Sequence, residues 1–382
     1  MSLCSFKIAH KLLTGAGAIE QLAAELTRLD VDHPLIVTDA ALLKSGTVEL
    51  ALAHLGGRTY EIFDRVLPDP EIAIVEDCMR VYREGGHDGL IGLGGGSAID
   101  IAKSVAAYAG YHGALEDLFG VDQVPRKGPP LIAIPTTAGT GSEVTNVAIL
   151  SDKHAQLKKG IVSDYLLPDV ALVSPQMTLT CPRSVTAASG VDALVHAVES
   201  YLSVNASPIT DALAIGAIKL IAKALPKAYA NPANLQARED MATASLMAGM
   251  AFGNAGVGAV HALAYPLGGR FNIAHGVSNA LLLPHVMAWN KMACVERMQD
   301  IAQAFGLTIT HLSADEAADH AVEAMARLCA AVEIPQGLRS VGVPQDAIPA
   351  MALEAAGIER LMRNNPRQLT ALDIEKIYRA AY

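Results

Sequence analysis

The chain has 382 residues, more than one hydrophobic core usually accommodates, which favours two domains. Hydrophobic residues make up 51% and charged residues 18%, a composition that excludes a largely disordered protein. The formal net charge of −10, with no basic block to offset it, argues against nucleic acid as a partner.

In the first half of the chain, short β-branched runs alternate with helical stretches. Strands are predicted over residues 34–39, 58–63, 89–93 and 131–135, and helices over residues 40–55, 71–85 and 98–109. This alternation is typical of an open parallel sheet with helices on both faces. We therefore predict a Rossmann-like α/β domain over residues 1–180.

From about Cys181 onward the pattern changes to long segments rich in Ala, Leu and Met. Helices are predicted over residues 184–203, 209–228, 236–252, 277–290 and 314–332. Pro and Gly residues are expected to break the helices at Pro208, Pro226, Pro232, Gly268-Gly269 and Pro335. An all-α domain over residues 181–382 follows, with its boundary at residues 180–182.

Neither a membrane span nor an export signal is expected. The apolar segment of residues 279–289 falls far short of the ~20 residues that cross a bilayer, and no membrane partner is expected. Residues 1–7 lack the apolar core of a signal peptide. The five cysteines are scattered and form no C-x-x-C pair, which is typical of reduced thiols. These features predict a soluble cytoplasmic protein.

A glycine turn, Gly94-Gly95-Gly96-Ser97, lies between a predicted strand and a predicted helix. Glycines allow a ligand to approach the backbone closely, and the helix start offers N–H groups to a phosphate. This context favours pyrophosphate binding, and the alternative is a tight turn that needs positive φ. The turn differs from the G-x-G-x-x-G fingerprint, because Ser97 does not continue the glycine pattern that starts at Gly92.

Two further segments follow predicted strands. Asp39 is placed to accept hydrogen bonds from an adenosine ribose, and its charge would repel a 2′-phosphate, which favours NAD over NADP. Its alternative role is a helix N-cap. The loop of residues 136–143, with Thr136, Thr137 and Thr140, offers hydroxyl and N–H donors to a cofactor or a substrate. Its alternative is an ordinary capped loop.

The second half contains residues suited to a metal site. Asp192 and His196 are four residues apart and share one face of a predicted helix, and His261 and His275 follow in a Gly-rich stretch. One carboxylate and three imidazoles suit Fe²⁺ or Zn²⁺ better than Ca²⁺ or Mg²⁺. A single histidine on an apolar helix is more often structural, so the hypothesis depends on all four residues together.

Five ordered motifs resemble the iron-containing (group III) alcohol dehydrogenases. They are GGGS at residues 94–97 with Asp100, TTAGTGSEVTN at residues 136–146, GVDALVH at residues 190–196, HALAYPLGG at residues 261–269 and HGVSNALLLPH at residues 275–285. The resemblance covers essentially the whole chain. It implies the dehydroquinate synthase-like architecture, with an α/β dinucleotide-binding domain followed by an all-helical metal-binding and catalytic domain.

The resemblance also implies roles for individual residues. Asp192, His196, His261 and His275 would ligate one divalent metal, foremost Fe²⁺ with Zn²⁺ as the alternative. NAD(P) would lie between the domains. The positions expected near it are Asp39, Asp69, Gly95, Gly96, Ser97, Asp100, Thr136, Thr137, Thr140 and Lys158. Asp39 matches the position that contacts the ribose in NAD-preferring relatives, whereas Asp69 and Lys158 are equally compatible with surface charges.

The chain departs from the family pattern at two positions. Many relatives have a second histidine four residues after the third ligand, where this chain has Tyr265. A phenol, with a pKa of ~10, is a poorer base near neutrality than an imidazole at ~6.5, so Tyr265 is either a proton relay or a packing residue. Ala274 replaces the proline that is common before the last ligand.

The function implied is reversible hydride transfer between a small alcohol, diol or hydroxy acid and NAD. The alternatives are a polyol dehydrogenase of the glycerol type and a metal- and NAD-dependent lyase similar to dehydroquinate synthase. The proton leaves through water, the cofactor ribose or Tyr265. Arg270 is expected at the surface or in an interface rather than on a substrate carboxylate. The family and the apolar composition suggest a homodimer or a larger homo-oligomer.

Overall fold

The structure is a computed structural model that describes residues 4–152 and 157–382 of the chain. The described residues form two compact units, Lys7–Cys181 and Pro182–Tyr382. Residues 4–6 group with the second unit rather than with the first. The division between Cys181 and Pro182 lies within the segment 180–182 that the change in composition indicates.

The unit Lys7–Cys181 contains two sheets. The strands are β1 (Leu12–Thr14), β2 (Pro34–Val37), β3 (Glu61–Phe63), β4 (Gly89–Gly94), β5 (Gly120–Val121), β6 (Leu131–Pro135), β7 (Val147–Asp152), β8 (Leu157–Val162) and β9 (Val170–Val173). Six of them form a sheet in the order β1-β9-β6-β4-β2-β3, in which every described pairing is parallel. The predicted open parallel sheet is therefore confirmed, and β1 and β9 extend it beyond the predicted strands.

A smaller sheet has the order β5-β8-β7, and β7 pairs with β8 in the antiparallel sense. None of its strands is predicted from the sequence. The reason is visible in β8, which contains Lys158, Lys159 and Gly160, residue types that are depleted in strands. Pairing with β7 compensates for the weak local preference.

Helices connect the strands of the large sheet. They are α1 (Leu22–Arg28), α2 (Ala40–Lys44), α3 (Thr47–Leu52), α4 (Ile72–Glu84) and α5 (Gly96–Ala109). The single helix predicted over residues 40–55 is wrong, because Gly46 adopts a positive φ of 79° and divides this segment into α2 and α3. Helix α5 begins directly after β4, so the glycine turn lies at the carboxyl end of a central strand.

The two faces of the large sheet carry separate hydrophobic cores. Neighbouring side chains along a strand point to opposite faces, so in-register residues share a core. One core contains Leu35, Leu90 and Leu131 together with apolar residues of α4 and α5. The other contains Ile36, Ile91 and Ile132 together with residues of α1 and α3. The covered faces explain why these strands have continuous apolar sequences.

The described residues of the unit Pro182–Tyr382 form helices joined by loops, and none of them forms a strand. Its helices are α6 (Arg183–Leu202), α7 (Pro208–Ala230), α8 (Leu235–Ala255), α9 (Ala259–Phe271), α10 (His275–Asn290), α11 (Val295–Ala304), α12 (Ala314–Ala331), α13 (Ile348–Ala356), α14 (Glu359–Met362) and α15 (Ala371–Ala380). The predicted all-α second domain is confirmed as a fold class.

Two of the predicted helix breaks are wrong. Pro226 lies inside α7, and Gly268-Gly269 lies inside α9, which also contains Pro266. Buried faces on both helices compensate for the local cost of these residues, since tertiary packing supplies most of the stability of such helices. Among the described residues, no single helix has the length and apolar content to span a membrane. Helices α8 and α9 reach that length and apolar content when they are taken together, but the pair is bent by 102° at its junction.

Candidate metal centre and cofactor-binding residues

Helix α6 places Asp192 and His196 one turn apart on one face. Every residue from Gly190 to Leu202 is buried, and Asp192 and His196 are only 2% and 5% exposed. Such isolated polar groups are costly inside an apolar helix bundle unless they meet partners. The helix therefore brings a carboxylate and an imidazole to an interior position where partners are required.

Helices α9 and α10 bring the other two histidines to the same place. His261 lies in the first turn of α9, and His275 is the first residue of α10. Gly276 allows α10 to approach α6, because a Cβ at this position would lie 2.6 Å from the carbonyl oxygen of Ala188. The His275-Gly276 sequence thus allows the predicted ligand residue and the close helix contact to be adjacent.

Three of the four predicted ligands converge. Asp192, His261 and His275 each offer a ligand atom, and these atoms all lie within 4.8 Å of one another. Nε2 of His261 and Nε2 of His275 are each 3.9 Å from Oδ1 of Asp192. His196 is not part of this group. Its ring stacks on that of His261, with centroids 4.7 Å apart, and therefore lies directly beside the cluster.

Two residues that the sequence does not single out hold the cluster in place. Glu199 is 3% exposed and accepts hydrogen bonds from Nδ1 of His261 and from the backbone N–H of Val260, both at 2.6 Å. The Asn279 amide donates to Oδ1 of Asp192 at 2.6 Å and lies 3.1 Å from Nε2 of His275. Helical spacing provides a signal for both, since Glu199 is seven residues after Asp192 and Asn279 four after His275.

The donor set fits a divalent cation. Because Nδ1 of His261 donates to Glu199, the lone pair of Nε2 remains available, and this buried atom has no hydrogen-bond partner among the described residues. Burial raises the pKa of Asp192, but the three neighbouring imidazoles and the Asn279 amide outweigh burial and hold that pKa below its ordinary value. An ionised carboxylate beside imidazole nitrogens is a ligand set suited to a borderline transition metal.

The glycine turn packs against the threonine loop. A Cβ at Gly96 would lie 2.8 Å from Cγ2 of Thr140, and a Cβ at Gly95 would lie 3.6 Å from Oγ1 of Thr137. The backbone N–H of Thr136 donates to the carbonyl of Gly94 at 2.9 Å, which joins the ends of β6 and β4. The structure thus brings these predicted cofactor residues together, with Ser97 in the first turn of α5.

Asp100 connects α5 to the threonine loop and to strand β7. Its Oδ1 accepts from the hydroxyl of Ser142 at 2.5 Å, and its Oδ2 accepts from the backbone N–H of Ile149 at 2.9 Å. Both carboxylate oxygens therefore have partners within the protein. The geometry indicates that Asp100 positions the loop, because each of its oxygens already accepts a hydrogen bond from the protein.

Lys103 and Glu143, which the sequence does not single out, extend this network. The Lys103 ammonium is fully buried and donates to Ser142 Oγ, Thr145 Oγ1 and the Val147 carbonyl at 3.0, 3.1 and 3.0 Å. Burial lowers the pKa of Lys103 to about 8, and burial raises the pKa of Glu143 to about 7. The buried Lys103 cation, which interacts electrostatically with Asp100 and Glu143, thus anchors the loop.

The remaining predicted cofactor residues have partners of their own. Asp39 is the N-cap of α2, and its Oδ1 accepts from the backbone N–H groups of Ala41 and Leu42 at 2.9 and 3.0 Å. Asp69 and Lys158 form an ion pair with each other. The N-cap role of Asp39 is therefore observed, and its Oδ2 makes no hydrogen bond within the described residues.

Tyr265 lies on α9 one turn after His261 and is half-buried. Its hydroxyl oxygen accepts a hydrogen bond from Nη2 of Arg360 at 3.4 Å. Arg270, on the same helix, is exposed and pairs with Glu354 at 2.7 Å. The surface location expected for Arg270 is thus observed, and Arg360 is an additional cation that the sequence does not single out.

Comparison with known proteins identifies relatives over nearly the full length. Residues 9–175 match the family model for iron-containing alcohol dehydrogenase, and residues 186–382 match the model for the Fe-containing alcohol dehydrogenase family, C-terminal. The long-chain-alcohol dehydrogenase 1 of Geobacillus thermodenitrificans (strain NG80-2) is 47% identical over 373 residues, which cover 96% of this chain and 94% of the relative.

Two further relatives differ in the substrates that they are named for. The NAD-dependent methanol dehydrogenase of Bacillus methanolicus is 37% identical over 381 residues and covers 99% of this chain and 100% of its own. A crystal structure of a 1,3-propanediol oxidoreductase superimposes with a TM-score of 0.97 at 41% identity, covering 100% of both chains. The names therefore extend from methanol and a diol to long-chain alcohols.

Proposed function

The chain belongs to the iron-containing alcohol dehydrogenase family and is an oxidoreductase of alcohols or diols, and we propose that it works with NAD and one divalent metal ion. Asp192, His196, His261 and His275 are the proposed metal ligands. The observation that carries this proposal is the buried Nε2 of His261, which lacks a partner among the described residues and lies 3.9 Å from Asp192 Oδ1.

Fe²⁺ is the proposed metal, with Zn²⁺ as the second candidate. Imidazole nitrogens and one carboxylate accept either ion, and availability decides between them as much as affinity does. When bound, the cation supplies Lewis acidity that lowers the pKa of the substrate hydroxyl and polarises the carbonyl of the product. The family description supports iron.

NAD is the proposed redox cofactor, and it supplies the nicotinamide that exchanges a hydride with the carbinol carbon. Gly95, Gly96 and Ser97 would bind its pyrophosphate at the start of α5, where free N–H groups and the helix dipole favour an anion. Asp39 Oδ2, which has no partner within the described residues, would accept from the adenosine ribose. Thr137 and Thr140 add hydroxyl donors beside the turn.

The remaining cofactor positions are proposed to act in different ways. Thr136 lies at the end of β6 beside the glycine turn and would contact the cofactor directly. Asp100 would act indirectly, because one of its oxygens holds the loop at Ser142 and the other holds strand β7 at Ile149. Asp69 and Lys158 would reach the cofactor only after their mutual ion pair opens.

Residues of the helical unit would orient the substrate and move its proton. Glu199 fixes the ring of His261, and Asn279 fixes the carboxylate of Asp192, so the groups around the reacting oxygen are held before substrate binds. Tyr265 is the proposed proton relay. Its hydroxyl oxygen accepts from Arg360, which leaves its own O–H free to donate to the product oxygen in the reducing direction.

The proposed enzyme acts in the cytoplasm as a homodimer or a larger homo-oligomer. The cysteines among the described residues are all free thiols, which supports a reducing compartment. The narrower alternatives are a glycerol-type polyol dehydrogenase and a lyase of the dehydroquinate synthase-like kind. Net NADH formation from a simple alcohol separates a dehydrogenase from a lyase.

The proposal is tested by metal reconstitution. Protein stripped of metal is reloaded with Fe²⁺ or Zn²⁺ and assayed for NADH formation with methanol, 1,3-propanediol, glycerol and longer alcohols. We expect alcohol-dependent NADH only in reloaded protein, and little in Asp192→Asn, which keeps the shape of the side chain but removes its charge. Full activity of stripped protein would contradict the proposed metal role.

A further inference from the structure

The guanidinium of Arg360 is a cation without a carboxylate partner. Arg360 lies in α14 and is exposed, and its hydrogen bond goes to the neutral hydroxyl of Tyr265. No ion pair of Arg360 occurs within residues 4–152 and 157–382, although the chain has a net charge of −10. By contrast, Arg270 is neutralised by Glu354. The charge of Arg360 is therefore available to a ligand.

The position of Tyr265 connects this charge to the proposed reaction centre. His261 and Tyr265 are four residues apart on α9 and share one face, about 6 Å apart along the helix axis. The Nε2 atom of His261 belongs to the cluster that His261 forms with Asp192 and His275, and the Tyr265 hydroxyl contacts Arg360. A substrate that reaches from the cluster along α9 therefore meets a hydroxyl donor and then a guanidinium.

We propose that Arg360, positioned by the Tyr265 hydroxyl oxygen, forms a subsite for a carboxylate at the end of the substrate opposite its carbinol carbon. The preferred substrates are then short ω-hydroxy acids and the corresponding aldehyde acids. A guanidinium binds a carboxylate through paired N–H donors, and the Tyr265 oxygen, which accepts another N–H of Arg360, holds the guanidinium in place. This inference rests on the proposed alcohol dehydrogenase function and specifies its substrate class.

The activity test compares two substrates of equal length. Metal-reconstituted enzyme is assayed with 4-hydroxybutanoate and with butane-1,4-diol, and the ratio of their kcat/KM values measures the preference for the anion. We expect wild-type protein to favour the hydroxy acid and Arg360→Leu to lower the ratio about tenfold or more, as loss of a charge-assisted contact implies. Arg270→Leu, which also removes one exposed cation from this region, should keep the wild-type ratio.

The binding test separates this inference from the proposed function. Calorimetry measures 4-hydroxybutanoate binding to metal-reconstituted wild-type, Arg360→Leu and Arg270→Leu proteins without any turnover. If no alcohol is oxidised but only Arg360→Leu loses binding, the subsite stands and the proposed function fails. Equal ratios for wild type and Arg360→Leu, or equal losses in both variants, overturn the subsite and leave the dehydrogenase proposal intact.

Discussion

Glu199 determines how His261 presents its nitrogen atoms. The carboxylate is buried in α6 and binds both the Nδ1 of His261 and the backbone N–H of Val260, at the start of α9. One side chain thus fixes the tautomer of the imidazole and the position of the helix that carries it. A carboxylate in this relation to a ligating histidine also increases the basicity of the ligand.

Replacing Glu199 by glutamine should weaken metal binding. The amide keeps the size of the side chain but loses the charge that favours an Nδ1–H proton on His261, so metal affinity should fall about 10–100-fold. Chelator competition measures the affinity. Glu323→Gln, an exposed change on α12, is the control and should bind metal as wild type does. An unchanged affinity in Glu199→Gln would show that Glu199 serves packing alone.

Some residues of the cluster can be recognised from the sequence, and others cannot. Asp192 and His196 are recognisable because helical spacing places them on one face, and in the structure Asp192 lies beside His261 and His275. Glu199 shares that face but has no visible partner in the sequence, because its role depends on where α9 begins relative to α6. Ligation of a metal by His196 stays a prediction.

At the start of α2, the carboxylate of Asp39 can cap the helix with one oxygen and offer the other oxygen to a ligand. Asp39 caps α2 with Oδ1, while Oδ2 has no partner within the described residues. Sequence position alone leaves the cap and the ribose contact as alternatives. The two oxygens of the carboxylate make the roles compatible.

Two substitutions at Asp39 separate these roles. Serine is also a good N-cap, so Asp39→Ser should retain stability, whereas Asp39→Ala should lose about 1 kcal/mol. Both remove the charge that would repel a 2′-phosphate, and the ratio of kcat/KM for NADP⁺ over NAD⁺ should rise at least about tenfold in both. Thermal unfolding and initial rates measure the two effects. A ratio that does not move would restrict Asp39 to capping.

Buried ionisable groups join helix α5 to the loop after β6, and they make the free energy of unfolding depend on pH. Burial raises the pKa of Glu143 to about 7 from an ordinary 4.5, so the folded protein keeps this proton over a range in which the unfolded chain has lost it. Stability should therefore decline as pH rises from 4.5 to 7. Lys103, with its pKa lowered to about 8, acts in the opposite sense and only above that pH.

Glu143→Gln should reduce the decline in stability between pH 5 and pH 7, because glutamine does not titrate. The apparent melting temperature at pH 5, 6 and 7 measures the slope for each protein. Glu84→Gln, an exposed change at the end of α4, should keep the wild-type slope. Identical slopes for Glu143→Gln and wild type would mean that Glu143 is ionised throughout this range.

Element boundaries are harder to predict from the sequence than element types. The segment of α9 contains Pro266, Gly268 and Gly269, which disfavour a helix locally, and yet it is helical from Ala259 to Phe271. Burial of its apolar face outweighs these preferences. Strand β1 has only three residues, too few for a periodic pattern, and it forms because β9 pairs with it.

Across the whole chain, the candidate functional residues are divided between two compact units. The predicted metal ligands all lie in Pro182–Tyr382, whereas the glycine turn and the threonine loop all lie in Lys7–Cys181. The change in composition near Cys181 predicts this division, because a parallel sheet and a helix bundle need different apolar patterns. Each set of residues is therefore supported by the packing of its own unit.

Metal removal should accordingly affect one unit far more than the other. A ligand present at 100 times its dissociation constant stabilises the folded state that binds it by about 2.7 kcal/mol. Chelation should therefore speed amide hydrogen exchange in α6, α9 and α10 and leave strands β2, β4 and β6 nearly unchanged. Asp192→Asn is the control, since its exchange should respond little to chelator. Equal acceleration in both units would show that the metal stabilises the chain as one cooperative body, and no acceleration in α6, α9 or α10 would contradict a metal at this cluster.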